Sequence, residues 1–270
     1  NRDNQTAKCL MAISDHNSIK SVQAAKKRAV ELKMSYIEAV ELDCTYQGLN
    51  FHVVGYGIDS TNPAFEQLEH TMRQQELALS EKKLALVNQL GFNLSKAQMD
   101  AVAPHGIYAG EMFCEVLLAD PRYQDHELLK PYREGGTRYE GALVNFHWDY
   151  FAQGKPCYLE VKLPSLQEIL TLIHENGGLS VLAHPGNNLK NRFELFDDMV
   201  KEGIQGVECY SSYHTPEVTE YFRNKAKEYN LLITCGSDFH GKTKPHVQLG
   251  GHGCIETNEI VEQLKQRNII

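Results

Sequence analysis

The sequence predicts an α/β fold in which strand–helix units form a barrel and a helical segment is inserted between two barrel strands. Short apolar runs such as Cys9–Ile13 (CLMAI) and Leu179–Ala183 (LSVLA) are typical of buried strands, and amphipathic stretches follow them. Strand–helix alternation favours a parallel sheet, open or closed into a barrel. Between Asn62 and about Lys155 the alternation stops, and stretches rich in Glu, Gln and Lys indicate helices only.

The individual elements follow from hydrophobic periodicity, capping residues and turn residues. Strands Tyr36–Leu42 and Phe51–Gly57 are joined by a short polar turn containing Gly48, so we expect a hairpin. The other elements of the barrel region are strands Gln205–Tyr210 and Leu231–Gly236 and helices Ser18–Lys33 (capped by Ser18), Ser165–Asn176, Asn191–Glu202, Pro216–Tyr229 and Asn258–Gln266. The inserted helices are Pro63–Leu90, Ser95–Val102 and Glu111–Ala119. The predicted domains are a barrel over residues 1–61 and 156–270 and a helical cap over 62–155.

Composition and charge restrict the class of protein. The 270 residues are 42% hydrophobic and carry a formal net charge of −8, which gives no general attraction to nucleic acid or anionic membranes. We therefore expect no stable binding of duplex nucleic acid. No apolar stretch approaches the roughly 18–20 residues of a membrane span, and no signal peptide is seen, so no membrane association is expected. The sequence predicts no oligomeric state.

The seven cysteines are odd in number and scattered, without a CxxC pair. Most lie in apolar runs such as LLITCG and GVECY, where free cysteine behaves as a small hydrophobe. This usage indicates a reduced, cytoplasmic protein. It argues against a disulfide framework and against a thiolate zinc site.

Residue types that ligate metals stand at the ends of successive predicted strands. They are Asp15 and His16, Glu41, His184, Glu208, and Asp238 with His240. Carboxyl ends of parallel strands converge on one face of an α/β barrel, so these residues indicate a shared site. His52 stands at the start of its strand, but an antiparallel return from the strand of Glu41 would bring it to the same face.

Imidazole and carboxylate together bind Zn²⁺, Mn²⁺ or Fe ions, and a bridging carboxylate such as Glu41 can hold two ions. Clustered ions suit phosphoryl chemistry because they activate water and supply positive charge that this acidic chain lacks. Alternatives exist for each residue taken alone: Asp15 and His16 as a turn and helix cap, Glu208 as a residue that orients a ligand, and His214 as a loop histidine rather than part of the site. GxSxG, Walker and GxGxxG motifs are absent from the sequence, which argues against serine nucleophiles and nucleotide-binding loops.

Taken in order, SDHNS, VELD, HVVGYG, LAHPG, GVECY and GSDFHG resemble the PHP superfamily (polymerase and histidinol phosphatase) over nearly the whole chain. The pattern is similar in particular to a bacterial subgroup with a helical insertion, which hydrolyses phosphoesters of nucleotides or short RNA. The resemblance implies a distorted seven-stranded β/α barrel with two or three divalent ions (Mn, Zn or Fe). It implies that Asp15 acts beside the ligands, and that the ligands are His16, Glu41, His52, His184, Asp238 and His240.

Two departures from the family pattern shape the expectations. The family begins with a strand ending in HxH, whereas this chain starts at Asn1 without one, so we expect the first strand to be missing through truncation, with Asp3 near the family's acidic position. The subgroup's Arg-Pro-His is replaced by Tyr108–Phe113, where Glu111 would repel phosphate unless it faces away. Lys242, Lys244 and His214 are therefore expected to bind the substrate, with Arg192 as a further candidate.

Three functional hypotheses result. The first is a metal-dependent phosphoesterase acting by metal-activated water on a small phosphorylated substrate, such as a nucleotide or short RNA. In this hypothesis Asp15, His16, Asp238 and His240 are catalytic. The second is an amidohydrolase-type metallohydrolase acting on a C–N bond. The third is a degenerate metal-binding module without catalysis, which a genuine absence of HxH would favour.

Overall fold

The computed structural model describes residues 9–190 and 192–270, and the chain forms two compact units. The first comprises Asn1–Glu69, Leu163–Ser237 and Gly250–Ile270, and the second comprises His70–Lys162 and Asp238–Leu249. Asp3 and Asn191, to which expectations attach, lie outside the described residues. The division at residues 61/62 and 155/156 stays a prediction. No described helix has the length and apolar character needed to cross a membrane.

A six-stranded mixed sheet forms the centre of the first unit, and its strand order follows the chain. β1 and β2 are parallel, β2–β3 and β3–β4 are antiparallel, and β4–β5 and β5–β6 are parallel. The strands are β1 Leu10–Ile13, β2 Ser35–Tyr46, β3 Leu49–Tyr56, β4 Leu179–Leu182, β5 Gly206–Ser211 and β6 Leu232–Gly236. The α/β class is therefore confirmed, while the seven-stranded barrel and the missing first strand stay predictions.

The hairpin expected between β2 and β3 is present. Its two-residue turn places Gln47 at φ 48° and Gly48 at φ 77°, the left-handed pair that matches the twist of tight hairpins. The register pairs Asp43 with His52. Because side chains alternate along a strand, Glu41 and Asp43 project from the same face of β2, and His52 stands opposite Asp43.

Ten α-helices accompany the sheet. They are α1 Val22–Glu31, α2 Pro63–Gln89, α3 Lys96–Val102, α4 Gly110–Ala119, α5 Ala142–Tyr150, α6 Leu166–Glu175, α7 Pro185–Asn188, α8 Glu194–Glu202, α9 Pro216–Glu228 and α10 Thr257–Gln266. The predicted start of α1 at Ser18 was wrong, since the helix begins at Val22. Asn17, at φ 54°, bonds its side chain to Asp43, so the preceding turn is held at the sheet and the helix starts later.

The first unit's core lies between the sheet and its helices. In α6 the capping box of Ser165 and Glu168 is formed as predicted, because the Ser165 hydroxyl accepts from the Glu168 amide and the Glu168 carboxylate accepts from Ser165. The apolar face of α6 recurs at helical spacing and is buried against Phe51, Val53 and other strand residues. That face consists of Leu166, Ile169, Leu170 and Ile173.

The second unit is helical, and its described part contains no strand, as expected. Its own core includes the fully buried Phe113, Leu117, Leu129 and Phe146. Helix α5 was not predicted. It begins after Gly141, which has φ 75° and offers no capping side chain, so the usual start signal is absent.

Candidate metal centre

Four of the predicted ligands come together on the first unit's sheet. One oxygen of Glu41 lies 2.9 Å from Nδ1 of His52 and 3.1 Å from Nε2 of His184. The two imidazoles are themselves 3.3 Å apart, Nδ1 to Nε2. Ligand atoms of His16, Glu41 and His52 all lie within 4.8 Å of one another. We call these four residues, with Asp43, the His/carboxylate cluster.

The segment after β1 runs alongside β2 and places His16. A parallel bridge joins His16 to Glu41, the Glu41 amide donates to the Asp15 carbonyl at 3.2 Å, and the Asn17 amide donates to the Glu41 carbonyl at 2.8 Å. Asp15 is exposed and contributes its backbone to this bridge. Strand-like pairing thus extends past β1 and fixes the backbone that carries His16.

Asp43 belongs to the cluster and was missed from the sequence. Its Oδ1 lies 3.1 Å from Nδ1 of His16 and 3.5 Å from Nε2 of His52. Asn17 donates to its other oxygen at 2.7 Å and accepts from its amide at 3.0 Å. The predicted strand stopped at Leu42, whereas β2 continues to Tyr46. The spacing of Glu41 and Asp43, two residues apart on one strand, was the signal available.

His184 follows β4 in a conformation that favours glycine, with φ 28°. Its amide donates to Oε2 of Glu208 at 2.8 Å, so Glu208 holds the backbone that presents the imidazole. Gly236 makes room for this carboxylate, since an added Cβ would stand 1.9 Å from Oε1 of Glu208. This geometry favours the alternative in which Glu208 orients a ligand.

His214 fixes the turn that follows His184. Its Nδ1 lies 2.9 Å from the Cys209 carbonyl, and its Nε2 accepts from the Gly186 amide at 3.0 Å. A Cβ on Gly186 would come within 2.7 Å of the His214 ring, so glycine permits the approach. Both ring nitrogens therefore bond the backbone, and the expected contact of His214 with substrate stays a prediction.

Asp238, His240, Lys242 and Lys244 lie in the second unit. Asp238, at φ 55°, is ion-paired with the buried Lys244, and its carbonyl lies 2.8 Å from Nδ1 of His240. Lys242 is paired with Glu115 at 3.0 Å. Each lysine thus has a carboxylate partner in its own unit, and the roles predicted for these four residues stay predictions.

Glu111, expected to repel phosphate, has a nearby imidazole. Its carboxylate lies 3.3 Å from Nδ1 of His147. Burial raises the pKa of Glu111, but the hydrogen bond and charge of His147 outweigh burial and lower it. Its negative charge is therefore offset within the second unit. Arg192 is exposed and stands 3.9 Å from Glu194.

The cluster's carboxylates stay ionised despite burial. Burial raises the pKa of Glu41, yet the charge of His16 and hydrogen bonds from His184 and His52 hold it well below its ordinary value. The same opposition, with His16 as the main favourable partner, lowers the pKa of Asp43 to about 2. Burial lowers the pKa of His52, but Glu41 and Asp43 raise it overall. The carboxylates thus draw a cationic partner to this place.

The donor set fits divalent cations. Three imidazoles and two carboxylates are the nitrogen and oxygen ligands that Zn²⁺, Mn²⁺ and Fe bind. Nδ1 of His184 is buried and has no hydrogen-bond partner among the described residues. Buried nitrogens are normally bonded, so this one marks a position for a ligand. Separations near 3 Å are those expected of atoms around one ion at about 2.0–2.2 Å.

Comparisons with curated proteins point to one reaction class, although no family model matches the chain. A 5′-3′ exoribonuclease of Haemophilus influenzae is 25% identical over 234 residues, covering 86% of this chain and 79% of the relative. A 3′,5′-nucleoside bisphosphate phosphatase of Chromobacterium violaceum is 26% identical over 240 residues (87% and 78%). A phosphoribosyl 1,2-cyclic phosphate 1,2-diphosphodiesterase of Eggerthella lenta is 24% identical over 241 residues (88% and 86%). These relatives are phosphoesterases with different substrates.

Solved structures share the fold. A candidate metal-dependent phosphoesterase from Bifidobacterium adolescentis aligns with a TM-score of 0.72 at 22% identity, covering 93% of this chain and 85% of that chain. A Chromobacterium violaceum amidohydrolase with bound sulfate aligns with a TM-score of 0.73 at 22% identity, covering 94% and 86%. At this identity the likeness concerns the fold.

Proposed function

We propose that the chain is a PHP-type, metal-dependent phosphoesterase that hydrolyses phosphate esters of nucleotides or short oligonucleotides. The observation that carries the proposal is the His/carboxylate cluster, in which residues from three strand ends and a hairpin meet around one carboxylate oxygen of Glu41. Curated relatives with three different substrates all hydrolyse phosphoesters, which supports the reaction class.

The ligands in this proposal are His16, Glu41, His52 and His184. Divalent ions held there supply the positive charge and the activated water that phosphoester hydrolysis requires. Asn17 and Asp43 orient His16, because the amide and carboxylate bond each other while the carboxylate faces the imidazole. Such partners fix ring orientation and raise ligand basicity.

The resemblance extends the ligand set to Asp238 and His240, with two or three ions (Mn, Zn or Fe) in all, and assigns Asp15 a role beside them. It also places the chain in the bacterial subgroup with a helical insertion. These finer assignments are part of the proposal and rest on the motifs SDHNS and GSDFHG.

Substrate binding is assigned to Lys242, Lys244 and His214. A phosphate arriving at either lysine competes with a carboxylate already in place, Glu115 for Lys242 and Asp238 for Lys244. Release of these pairs gives the cationic donors that an acidic protein needs for an anionic ester. The proposed substrates are small phosphorylated molecules rather than duplex nucleic acid.

The test is a chelator-treated chain, reloaded with Mn²⁺, Zn²⁺ or Fe²⁺ and offered a 3′,5′-bisphosphonucleotide, a 5′-phosphorylated oligoribonucleotide and an amide substrate. We expect metal-dependent phosphate or nucleotide release that His184→Ala abolishes. The matched control is His70→Ala, since His70 is exposed in the second unit. Turnover that survives both chelation and His184→Ala would refute the proposal. Metal binding without turnover would favour the non-catalytic module, and amide cleavage alone the amidohydrolase alternative.

A further inference from the structure

A second group of potential ligands lies outside the His/carboxylate cluster, at the end of β6. Cys235 of β6, and His252 and Cys254 of the segment before α10, place their ligand atoms within 4.8 Å of one another. All three side chains are partly buried and belong to the first unit. We call them the Cys/His cluster. The two cysteines are far apart in sequence and form no CxxC pair, so their spacing gave no sign of this arrangement.

Local backbone geometry presents His252 and Cys254 together. Gly253 between them has φ 67°, a left-handed conformation that turns the chain back. The Cys254 amide then donates to Nδ1 of His252 at 3.1 Å. Nδ1 therefore carries a lone pair, and burial lowers the pKa of His252, so that the ring is held neutral. A neutral imidazole is the form that binds metals.

The third member is fixed by the sheet. Cys235 pairs with Tyr210 across β5 and β6. The Tyr210 hydroxyl donates to Glu256 at 2.6 Å, and Arg223 also donates to that carboxylate at 3.0 Å. Glu256 follows Cys254 by two residues, so the strand that carries one cysteine also anchors the segment that carries the other.

We propose that Cys235, His252 and Cys254 bind a Zn²⁺ ion, with water as the fourth ligand. Two thiolates and one imidazole are an established donor set for this ion. Bond lengths of about 2.3 Å to sulfur and about 2.0–2.1 Å to nitrogen put such ligands roughly 3.5–3.8 Å apart, so the three atoms contract by at most about 1 Å around the ion.

Charge balance suits this location. Zn²⁺ and two thiolates sum to zero, so the loaded site adds no net charge beside the apolar core against which Cys235 and Cys254 pack. The two thiols release their protons to solvent as the ion binds. Joining the same sulfurs as a disulfide would instead remove two electrons and require an oxidant, whereas metal binding needs only the ion.

The two clusters differ in the ions they select. Mn²⁺ prefers carboxylate and imidazole ligands, while thiolates favour Zn²⁺. Saturation with Mn²⁺ therefore leaves the Cys/His cluster to Zn²⁺, and the second site can be measured independently of the first.

The experiment uses the full chain, reduced, freed of metal and then saturated with Mn²⁺ before Zn²⁺ is added. We expect the parent to retain one more Zn²⁺ per chain than Cys235→Ser or Cys254→Ser. The matched control Cys9→Ser, at an exposed cysteine, should retain as much as the parent. Cobalt in place of zinc should give the near-ultraviolet thiolate charge-transfer band, which both cluster variants lose.

His252→Gln keeps the experiment decisive if a cysteine variant fails to fold, since it should weaken Zn²⁺ binding while leaving the thiolate band in place. Equal Zn²⁺ retention in parent and variants, absence of the cobalt band, or a Cys235–Cys254 disulfide in the chain as isolated would overturn the proposal. Turnover with Mn²⁺ reports separately on the phosphoesterase, so failure of one proposal leaves the other measurable.

Discussion

The His/carboxylate cluster and the segment Asp238–Leu249 both carry predicted ligands, but their carboxylates have different partners. Glu41 and Asp43 are surrounded by imidazoles, whose charge depends on pH. Asp238 is bonded to Lys244, which carries a permanent charge at neutral pH. The sheet-borne carboxylates therefore lack a fixed cation of the chain, whereas Asp238 already has one.

The difference teaches where metal binding is built into the fold. Strand register places His52 opposite Asp43 and holds the cluster before any ion arrives. In the second segment, a metal ion would have to compete with Lys244 for Asp238. We therefore expect the cluster to dominate metal affinity, with Asp238 contributing afterwards.

The largest effect is expected from Glu41→Gln, which keeps the shape of the side chain but removes the charge shared by His52 and His184. Metal affinity and phosphoester turnover should each fall by at least about 100-fold, because even residues that only orient ligands contribute about 10–100-fold. A competition titration against a chromophoric chelator measures the affinity.

Glu38→Gln is the matched control for this substitution. Glu38 lies on the same strand but projects from the opposite face, where it bonds Lys26 and Ser60. It should leave metal affinity within about twofold of the parent, the resolution needed to exclude a general loosening of β2. Equal losses in the two variants would show that strand integrity, not ligation, is measured.

Asp238 can be separated from its lysine by two substitutions. If Asp238 is a ligand, Asp238→Ala should lower turnover by roughly 100-fold, the loss typical of damage to a metal site. Lys244→Met should then strengthen metal binding, because the competing cation is gone, while raising KM for the phosphorylated substrate. Full turnover in Asp238→Ala would remove Asp238 from the mechanism, and unchanged metal affinity in Lys244→Met would show that the two do not compete.

Much of this contrast could be predicted from the sequence, since strand ends and motifs indicated His16, Glu41, His52 and His184. Asp43 was missed because alternation along a strand is visible only when the strand's end is known, and β2 runs four residues beyond its predicted end at Leu42. The start of α1 was misplaced because Asn17 bonds Asp43, a contact between residues distant in sequence. Periodicity reports burial of local faces, not such long-range polar contacts.

A smaller effect is expected from Asp43→Asn. The amide can still meet Asn17 but no longer opposes the charge of His16 or His52, so metal affinity should fall about 10–100-fold. Asp59→Asn provides the control, because Asp59 is exposed and bonds only Thr61 among its recorded hydrogen-bond partners. A loss no greater in Asp43→Asn than in Asp59→Asn would contradict a role for Asp43 in placing the histidines.

The smallest effect is the pH dependence of metal affinity. Glu41 and Asp43 raise the pKa of His52 above its usual 6.5, and a metal must displace that proton. Affinity should therefore fall by up to about tenfold per pH unit below the raised pKa and level off above it. The metal-free chain should show the opposite trend. Its stabilisation by protonated His52 is complete below the unfolded pKa near 6.5 and lost as pH rises through the folded pKa. Thermal unfolding with and without Mn²⁺ across this range measures both, and Asp43→Asn should shift both midpoints to lower pH. Midpoints unmoved by that substitution would show that His52 is not the titrating group.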